Sequence, residues 1–354
     1  MNSKERVLTA FASRTPDRVP INYGSNGGLE TRLIKHFKVK DRDDLLKVLG
    51  VDFREAWPEY IGPKLHKDLP EKGMKADNWG IRRRWVEHGS GGYWDFCDFP
   101  LKNATEEEVA AWPLPDPDKY NYSLVSEACR RQKEYAVYTG NCTGDIINGN
   151  GMLRGMEQTL IDLLTEEPAG MLLAKRRTEI NSEIIGRTLE AAKGGIDFIW
   201  LGEDLGTQLA PMVSLELYRK AIRPLHQKII DVAKSFKVLV MMHTCGSSSW
   251  AYEDFIEMGI NIVDTLQPEA VNMSPAYLKK TFGGRLAFHG CISTAGPVAF
   301  GRPPEVVKYC KDILDIMMPG GGYAFAPTHS LQDNSPTENV LAMYETANTY
   351  GRYK

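Results

Sequence analysis

Short apolar runs alternate with longer amphipathic stretches along most of the chain. The short runs are rich in β-branched and aromatic residues and end in glycine or polar side chains, which is typical of buried strands. In the longer stretches, apolar residues recur at helical spacing, which predicts helices. The runs predict strands at residues 19–24, 51–58, 135–140, 196–201, 238–243, 262–266, 285–288 and 323–326.

Helical patterns lie between most of these strands. They cover residues 4–14, 29–38, 41–49, 121–133, 153–164, 168–192, 214–236 and 336–350. Alternating strands and helices of this length favour a parallel sheet. Eight such strands in a chain of 354 residues predict a single (β/α)8 barrel domain over residues 1–354. A doubly wound open sheet is the alternative, but no Gly-x-Gly-x-x-Gly motif follows the first strand.

The alternation breaks over residues 60–115, which we interpret as an insert within the barrel. Residues 78–87 and 93–99 flank the turn Gly89-Ser90-Gly91-Gly92, and this arrangement predicts a β-hairpin. Aromatic side chains in the insert either pack it onto the barrel or form a wall of the substrate pocket. They are Trp79, Trp85, Tyr93, Trp94 and Phe96. We expect the insert to lie over the C-terminal face of the strands, where barrel enzymes build their sites.

Composition and charge argue against several classes of protein. A net charge of -3 is unlike that of a nucleic-acid-binding surface, which needs a basic excess. No apolar run approaches the roughly 20 residues that span a bilayer. The cysteines are widely spaced and form no Cys-x-x-Cys pair, and the charged start of the chain does not resemble a signal peptide. These features predict reduced thiols and a cytoplasmic location.

The strongest candidate chemistry follows the strand that ends at His243. Residues i and i+2 of a strand share a face, so His243 and Cys245 can both reach one zinc ion. His329 follows the last predicted strand and offers a third ligand from elsewhere in the barrel. Three protein ligands leave one position open for substrate, as in catalytic zinc sites.

Other polar residues follow the predicted strands and are candidates to orient substrate or to act as acid or base. They are Glu203, Asp204, Gln208, Asp264, Gln267 and His289. Neighbouring side chains on an extended strand point in opposite directions, so one of Glu203 and Asp204 is expected to face the cavity, and either can instead cap the next turn. His289 can alternatively bond to a loop carbonyl.

Two further cysteines follow predicted strands. We interpret Cys142 as a small buried hydrophobe, which is the usual state of a free cysteine. Cys291 fits either that role or a place in the site.

An ordered set of motifs spans the chain. It comprises Glu5-Arg6-Val7, Pro16-Asp17-Arg18-Val19-Pro20, Leu153-Arg154-Gly155-Met156-Glu157, Glu203-Asp204-Leu205-Gly206-Thr207-Gln208, Pro224, His243-Thr244-Cys245-Gly246, Asp264-Thr265-Leu266-Gln267-Pro268 and Pro336-Thr337-Glu338-Asn339-Val340. With these motifs the sequence resembles the uroporphyrinogen decarboxylase superfamily of (β/α)8 barrels. It is most similar to the branch of zinc-dependent, corrinoid-linked methyltransferases.

The resemblance implies a zinc ion and a methyl group that moves between a small molecule and a corrinoid. The small molecule would be a methoxylated compound or a thiol. No cobalamin-binding Asp-x-His-x-x-Gly motif occurs here, so the corrinoid would be carried by a separate protein, and the insert is a candidate docking surface for it. The resemblance also implies pairing into a homodimer.

Two departures from the family pattern matter. The decarboxylases carry an Arg-Gln-Ala-Gly-Arg segment after the first strand, whereas residues 23–28 contain no arginine, which disfavours a substrate with many carboxylates. The methyltransferase branch uses a later cysteine as a zinc ligand, and that position holds His329. Imidazole still binds zinc but makes the site less electron-rich.

Two alternative functions remain. One is a metal-free decarboxylase or lyase of a carboxylated ring compound, and the other is a non-catalytic ligand-binding barrel.

Overall fold

The computed structural model describes residues 1–88 and 91–354. Its strands are β1 (Phe53–Glu55), β2 (Glu59–Tyr60), β3 (Met74–Ala76), β4 (Arg82–His88), β5 (Gly91–Asp98), β6 (Tyr120–Asn121), β7 (Ala136–Thr143), β8 (Phe198–Gly202), β9 (Leu239–Thr244), β10 (Ile262–Thr265), β11 (Ala287–Ile292) and β12 (Tyr323–Pro327).

The helices follow the strands at most of the predicted places. They are α1 (Ser3–Phe11), α2 (Gly27–Phe37), α3 (Arg42–Val48), α4 (Glu106–Ala111), α5 (Ser123–Arg131), α6 (Ile147–Arg154), α7 (Met156–Thr165), α8 (Pro168–Ala192), α9 (Leu215–Leu217), α10 (Arg223–Ser235), α11 (Tyr252–Met258), α12 (Pro275–Phe282), α13 (Pro297–Phe300), α14 (Pro303–Met317) and α15 (Thr337–Tyr350). A π-helical turn, Tyr218–Ile222, joins α9 to α10. The predicted helix at 168–192 is confirmed at both ends.

Seven strands form one parallel sheet in the order β1-β7-β8-β9-β10-β11-β12. The sheet curls, since Glu55 of its first strand and Ala326 of its last line the same cavity. Every residue of β11 and β12 is buried, as expected for parallel strands that are covered on both faces. Seven of the predicted strands are thus confirmed within one or a few residues.

The predicted strand at 19–24 does not form a regular strand. Ile21 makes one isolated parallel bridge to Phe325. On the other side of this segment, the backbone oxygen of Ile21 accepts a hydrogen bond from the N–H of Asp52 at 2.9 Å. Pro20 has no N–H to donate, which limits the ladder that this segment can build. A curled sheet of seven strands is therefore observed, and a regular eight-stranded barrel stays a prediction.

The insert contains the predicted hairpin. Strands β4 and β5 pair antiparallel, with Trp85 opposite Trp94, and β3 adds a third strand. The predicted turn residues Gly89 and Ser90 lie outside the described residues. A second apolar cluster joins the insert to α6 and α8 and includes Ile81, Leu101, Val109, Leu153, Ala169 and Leu173. The side chains of Trp85 and Trp94 are 48% and 41% exposed, so they do not pack the insert onto the sheet.

Within residues 1–88 and 91–354, no helix has both the length and the apolar character needed to cross a membrane.

A buried carboxylate connects the N-terminal segments to the sheet. Asp52 is fully buried and directly precedes β1. It accepts hydrogen bonds from Arg6 and Arg18 at 2.7 Å, from Ser3 Oγ at 2.7 Å and from the backbone N–H of Ile21 at 2.9 Å. These bonds fix α1 and the 19–22 segment against the first strand.

Asp52→Ala should lower the free energy of unfolding by roughly 3–5 kcal/mol, because it leaves Arg18 partly buried without a carboxylate and leaves Arg6 with Asp17 alone. Urea denaturation at pH 7 measures the change. Asp312→Ala, which removes an exposed partner of Lys308 on α14, is the control and should cost less than about 0.5 kcal/mol. Equal effects of the two substitutions would contradict this account of Asp52.

Candidate functional site

A cavity of about 240 Å³ opens among the C-terminal ends of the parallel strands. Four of the predicted site residues line it: His243, Asp264, His289 and His329. The side chains of Asn22, Tyr138, Cys142 and Trp200 complete much of its wall. The predicted gathering of polar groups at one end of the sheet is therefore observed. The aromatic residues predicted in the insert are not among the lining residues.

A cluster of three potential metal donors lies at the end of β9. Cys245 Sγ is 3.4 Å from His243 Nε2, and Asp204 Oδ1 is 3.9 Å from the same nitrogen. Ligand atoms of all three residues lie within 4.8 Å of one another. Imidazole, thiol and carboxylate are groups that bind zinc in proteins. The donor set therefore fits a zinc ion.

A glycine turn brings Asp204 to this cluster. Gly246 has φ 69°, which L side chains rarely adopt, and a Cβ there would lie 2.2 Å from Gly206 O. The close approach packs the turn after β9 against the loop after β8. Asp204 Oδ1 can therefore accept the N–H of Cys245 at 3.0 Å.

Asp264 lies between two histidines. His243 is the register partner of Asp264 on β9, and His289 is its partner on β11, so the three side chains share one level of the sheet. Asp264 Oδ2 lies 2.6 Å from His243 Nδ1, and Oδ1 lies 2.5 Å from His289 Nδ1. Burial by itself would raise the pKa of Asp264, but His289 and His243 hold it well below its usual range. The group is therefore an anion at neutral pH.

The hydrogen bonds around His289 assign the protons in this row. The backbone N–H of Tyr23 donates to Asn22 Oδ1 at 2.8 Å, so the amide nitrogen of Asn22 points at His289 Nε2, 3.0 Å away. His289 Nε2 therefore accepts the hydrogen bond from Asn22. The proton of the neutral His289 ring is then on Nδ1, which donates to Asp264. His289 thus bonds to a carboxylate and an amide rather than to a loop carbonyl.

The same reasoning orients His243. Its Nδ1 donates to the anionic Asp264, and the Oγ1 of Thr265 lies 3.0 Å from that nitrogen. In the neutral ring the lone pair is then on Nε2, which faces Cys245 and Asp204. A carboxylate that holds a histidine in this way is a common support for a metal ligand.

Protons on two of the three donors compete with a cation for the cluster. Burial by itself would lower the pKa of His243, but Cys142 and Asp264 beside it raise that pKa well above the ordinary value. Burial raises the pKa of the Cys245 thiol, and His243 offsets only part of this shift. Burial would also raise the pKa of Asp204, but His243 and the hydrogen bonds to its carboxylate lower it. A bound metal would have to displace protons from His243 and Cys245, so its affinity should fall as the pH is lowered.

Glu203 lies behind the cavity. It is fully buried and accepts the N–H groups of Ile146 and Ile147, each at 2.9 Å, where α6 begins. Burial raises the pKa of this carboxyl to about 7. Its position favours a structural role over the predicted contact with substrate. Of the neighbouring pair, Asp204 is the residue that faces the cluster.

The two predicted glutamines support the turn after Cys245. Gln267 Oε1 accepts the N–H of Gly246 at 2.7 Å and an amide N–H of Gln208 at 3.1 Å. Neither side chain is among the residues that line the cavity. Their contacts favour a role in positioning Cys245 over direct contact with substrate.

His329 stands apart from the three-donor cluster. Its ring centroid lies 6.2 Å from that of His243, and it is exposed where the cavity opens. Desolvation by the surrounding protein and the nearby His243 lower the pKa of His329, so its imidazole is neutral at pH 7. A histidine that binds a metal is also neutral, so His329 has the protonation state that a metal ligand needs. Its role as the third ligand stays a prediction.

Three residues of the site were given no specific role in the prediction, although Asn22 and Cys142 lie at the ends of predicted strands. Asn22 directs the His289 ring, Thr265 contacts His243, and Cys142 lines the cavity. Thr265 has φ 86° and Cys142 has φ 66°, both in the left-handed region, where strained residues often mark functional sites. Polar residues at strand ends were the available signal for Asn22, whereas nothing in the sequence signals the backbone conformation at Cys142. Cys291, by contrast, lies in the hydrophobic core.

Asp264→Asn should lower the unfolding free energy of metal-free protein by roughly 1–3 kcal/mol, because an amide can accept only one of the two imidazole N–H groups and leaves the other unpaired. Urea denaturation at pH 7 with a chelator present measures the change. Asp231→Asn, at an exposed position of α10, is the matched control and should shift stability by less than about 0.5 kcal/mol. Wild-type stability of Asp264→Asn would refute the bridging role.

Comparisons with known proteins give relatives that align with only part of this chain. Two proteins named methylcobamide:CoM methyltransferase MtbA, from Methanosarcina acetivorans and Methanosarcina mazei, are each 25% identical to this chain, over 142 and 146 residues. Each alignment covers 39% of this chain and 38% of the relative. The chain therefore matches well under half the length of these relatives.

A solved structure and a family model each match a larger part of this chain than these two relatives do. A solved structure described as a methyltransferase from Methanosarcina mazei superposes over 99% of both chains with a TM-score of 0.66 and 16% identity, so the two share a fold. The model of the uroporphyrinogen decarboxylase (URO-D) family matches residues 98–350, which is most of the chain. This protein therefore belongs to the uroporphyrinogen decarboxylase family.

Proposed function

We propose that this protein is a zinc-dependent methyltransferase that moves a methyl group between a small molecule and a corrinoid protein. The observation that carries the proposal is the cluster of Asp204, His243 and Cys245, whose ligand atoms lie within 4.8 Å of one another beside the cavity. His329, at the cavity mouth, is the proposed further ligand. The small molecule is a thiol or a methoxylated compound.

The row of side chains around Asp264 supports a metal at this position. Asp264 keeps a proton on His243 Nδ1, so Nε2 is the nitrogen that binds the metal once its proton is displaced, while Asn22 and His289 hold Asp264 from the other side. Asp204 is anionic and lies beside the same nitrogen. When bound, zinc would lower the pKa of a thiol substrate or polarise the oxygen of a methoxy group.

The relatives support methyl transfer with a corrinoid. Both are named for a methylcobamide and CoM, and the shared fold extends over the whole chain of a methyltransferase. This sequence has no Asp-x-His-x-x-Gly motif, so the corrinoid is proposed to arrive on a partner protein.

The hairpin of the insert is the proposed docking surface for that partner. Trp85 and Trp94 form an exposed cross-strand pair with ring centroids 5.9 Å apart. At the end of the hairpin, a Cβ on Gly91 would lie 2.5 Å from Asp333 Oδ2, in the loop that follows β12. An exposed aromatic face next to a strand-end loop fits a partner that must reach the cavity.

The cavity wall gives little support for decarboxylation of a polycarboxylate. Arg42 is the arginine that lines it, and its guanidinium is already paired with Glu30. Glu55 lies in the same wall and would repel an anionic substrate. A small substrate with one anionic group or none fits this wall better.

Purified wild-type protein should contain about one zinc per chain, and Cys245→Ser should lose most of it, because the substitution removes a ligand of a site with few protein ligands. Elemental analysis measures the metal. Cys97→Ser is the control, since Cys97 lies in the insert hairpin, and it should keep wild-type zinc. A wild-type protein without zinc, after purification that avoids chelators, would sink the metal assignment.

The zinc-loaded protein should transfer the methyl group of methylcobalamin to a thiol such as 2-mercaptoethanesulfonate. His243→Ala should reduce the rate at least roughly 100-fold, because it removes a ligand and its support from Asp264. The loss of methylcobalamin absorbance follows the reaction, and cob(I)alamin with a methoxylated phenol tests the opposite direction. His36→Ala, at an exposed position of α2, should react like wild type. If His243→Ala kept both zinc and the wild-type rate in either direction, the proposed function would be wrong.

A further inference from the structure

Cys142 reaches the candidate metal site from a different strand than His243 and Cys245. Thr139 of β7 pairs with Ile199 of β8, and Thr143 of β7 pairs with Leu201 of β8. Between these two pairs, β7 advances by four residues while β8 advances by two. The extra residues form a bulge in which Asn141 and Cys142 have φ 39° and 66°. Bulges next to sites redirect side chains, and this one brings Cys142 into the wall of the cavity.

The neighbours of Cys142 place its thiol beside His243. Gly202, at the end of β8, is the register partner of His243 on β9. A Cβ on Gly202 would lie 2.8 Å from the Cβ of Cys142, so the side chain of Cys142 fills the space that a glycine leaves open. Cys142 and His243 line the same cavity, and Cys142 raises the pKa of the His243 ring, as Cys245 does. Because Nδ1 is bonded to Asp264, Nε2 is the nitrogen left for the two thiols.

The environment of Cys142 differs from that of the structural cysteines. Cys129, Cys291 and Cys310 all belong to the hydrophobic core, where a thiol behaves as a small apolar group. Cys142 and Cys245 are half-buried, and neither belongs to that core.

We propose that Cys142 is a second thiolate ligand of the metal held by His243 and Cys245. The inference rests on the metal centre of the proposed function and changes its ligand set, since Cys142 takes the place predicted for His329. In this ligand set Asp204 remains the acceptor of the Cys245 N–H. Two thiolates and a neutral imidazole then cancel the charge of a divalent zinc ion, whereas one thiolate and two imidazoles leave a net charge of 1+. A neutral centre lowers the pKa of a bound thiol less and leaves its thiolate more nucleophilic, which suits a thiol as methyl acceptor.

X-ray absorption at the zinc edge counts the sulfur ligands directly. Wild-type, full-length protein should show two sulfur atoms at about 2.3 Å from zinc, and Cys142→Ser should show one. Cys97→Ser and His329→Ala should both keep two. The wild-type spectrum is decisive even if Cys142→Ser fails to fold.

The outcomes separate this inference from the proposed function. One sulfur in the wild type, or two in Cys142→Ser, would overturn the role of Cys142 while leaving a metal centre in place. Wild-type protein that binds no zinc would overturn the metal centre, and the role of Cys142 with it. Two sulfurs in wild type and in both controls, with one in Cys142→Ser, is the expected result.

Discussion

The hydrogen bonds of one buried carboxylate organise the site. Asp264 stands in register between His243 and His289, and the same level of the sheet continues to Gly202 on one side and Ala324 on the other. Small residues at the two ends leave room around the polar centre. Since the carboxylate accepts from both imidazoles, each ring has one orientation and one tautomer, and the free nitrogen of His243 points at the neighbouring thiol. The chemistry of the cavity depends on this row, because without it neither ring would present a defined lone pair.

The strand-end pattern predicted which residues would meet but not how they would be arranged. His243 and Cys245 were found together because the spacing of two residues on a strand fixes a common face. The sequence could not show that Asp264 bonds to two histidines, since that depends on the register of three strands. Cys142 was misread as a small buried hydrophobe because a backbone bulge, which leaves no mark in the residue pattern, directs it to the cavity. The predicted strand at 19–24 failed at Pro20, where local chemistry overrides an otherwise apolar run.

Membership of the URO-D family explains the fold more fully than it explains the reaction. The shared fold extends over the whole chain at 16% identity, whereas the named relatives align over 39% of it. Fold alone does not determine chemistry, so the proposed methyl transfer depends on the donor set at the end of β9. The residues around that set have supporting roles: Asp264 and Asn22 orient the two histidines, and the paired glutamines hold the turn after β9. Glu203 lies behind the cavity, where it caps α6.

The most direct test of a metal at this position is anomalous diffraction from crystals of protein purified without added metal. Data collected on both sides of the zinc absorption edge should give a single strong difference peak within about 2.0–2.3 Å of His243 Nε2 and Cys245 Sγ. A zinc peak elsewhere in the molecule, or no peak with His243 Nε2 hydrogen-bonded to Cys245, would contradict the account.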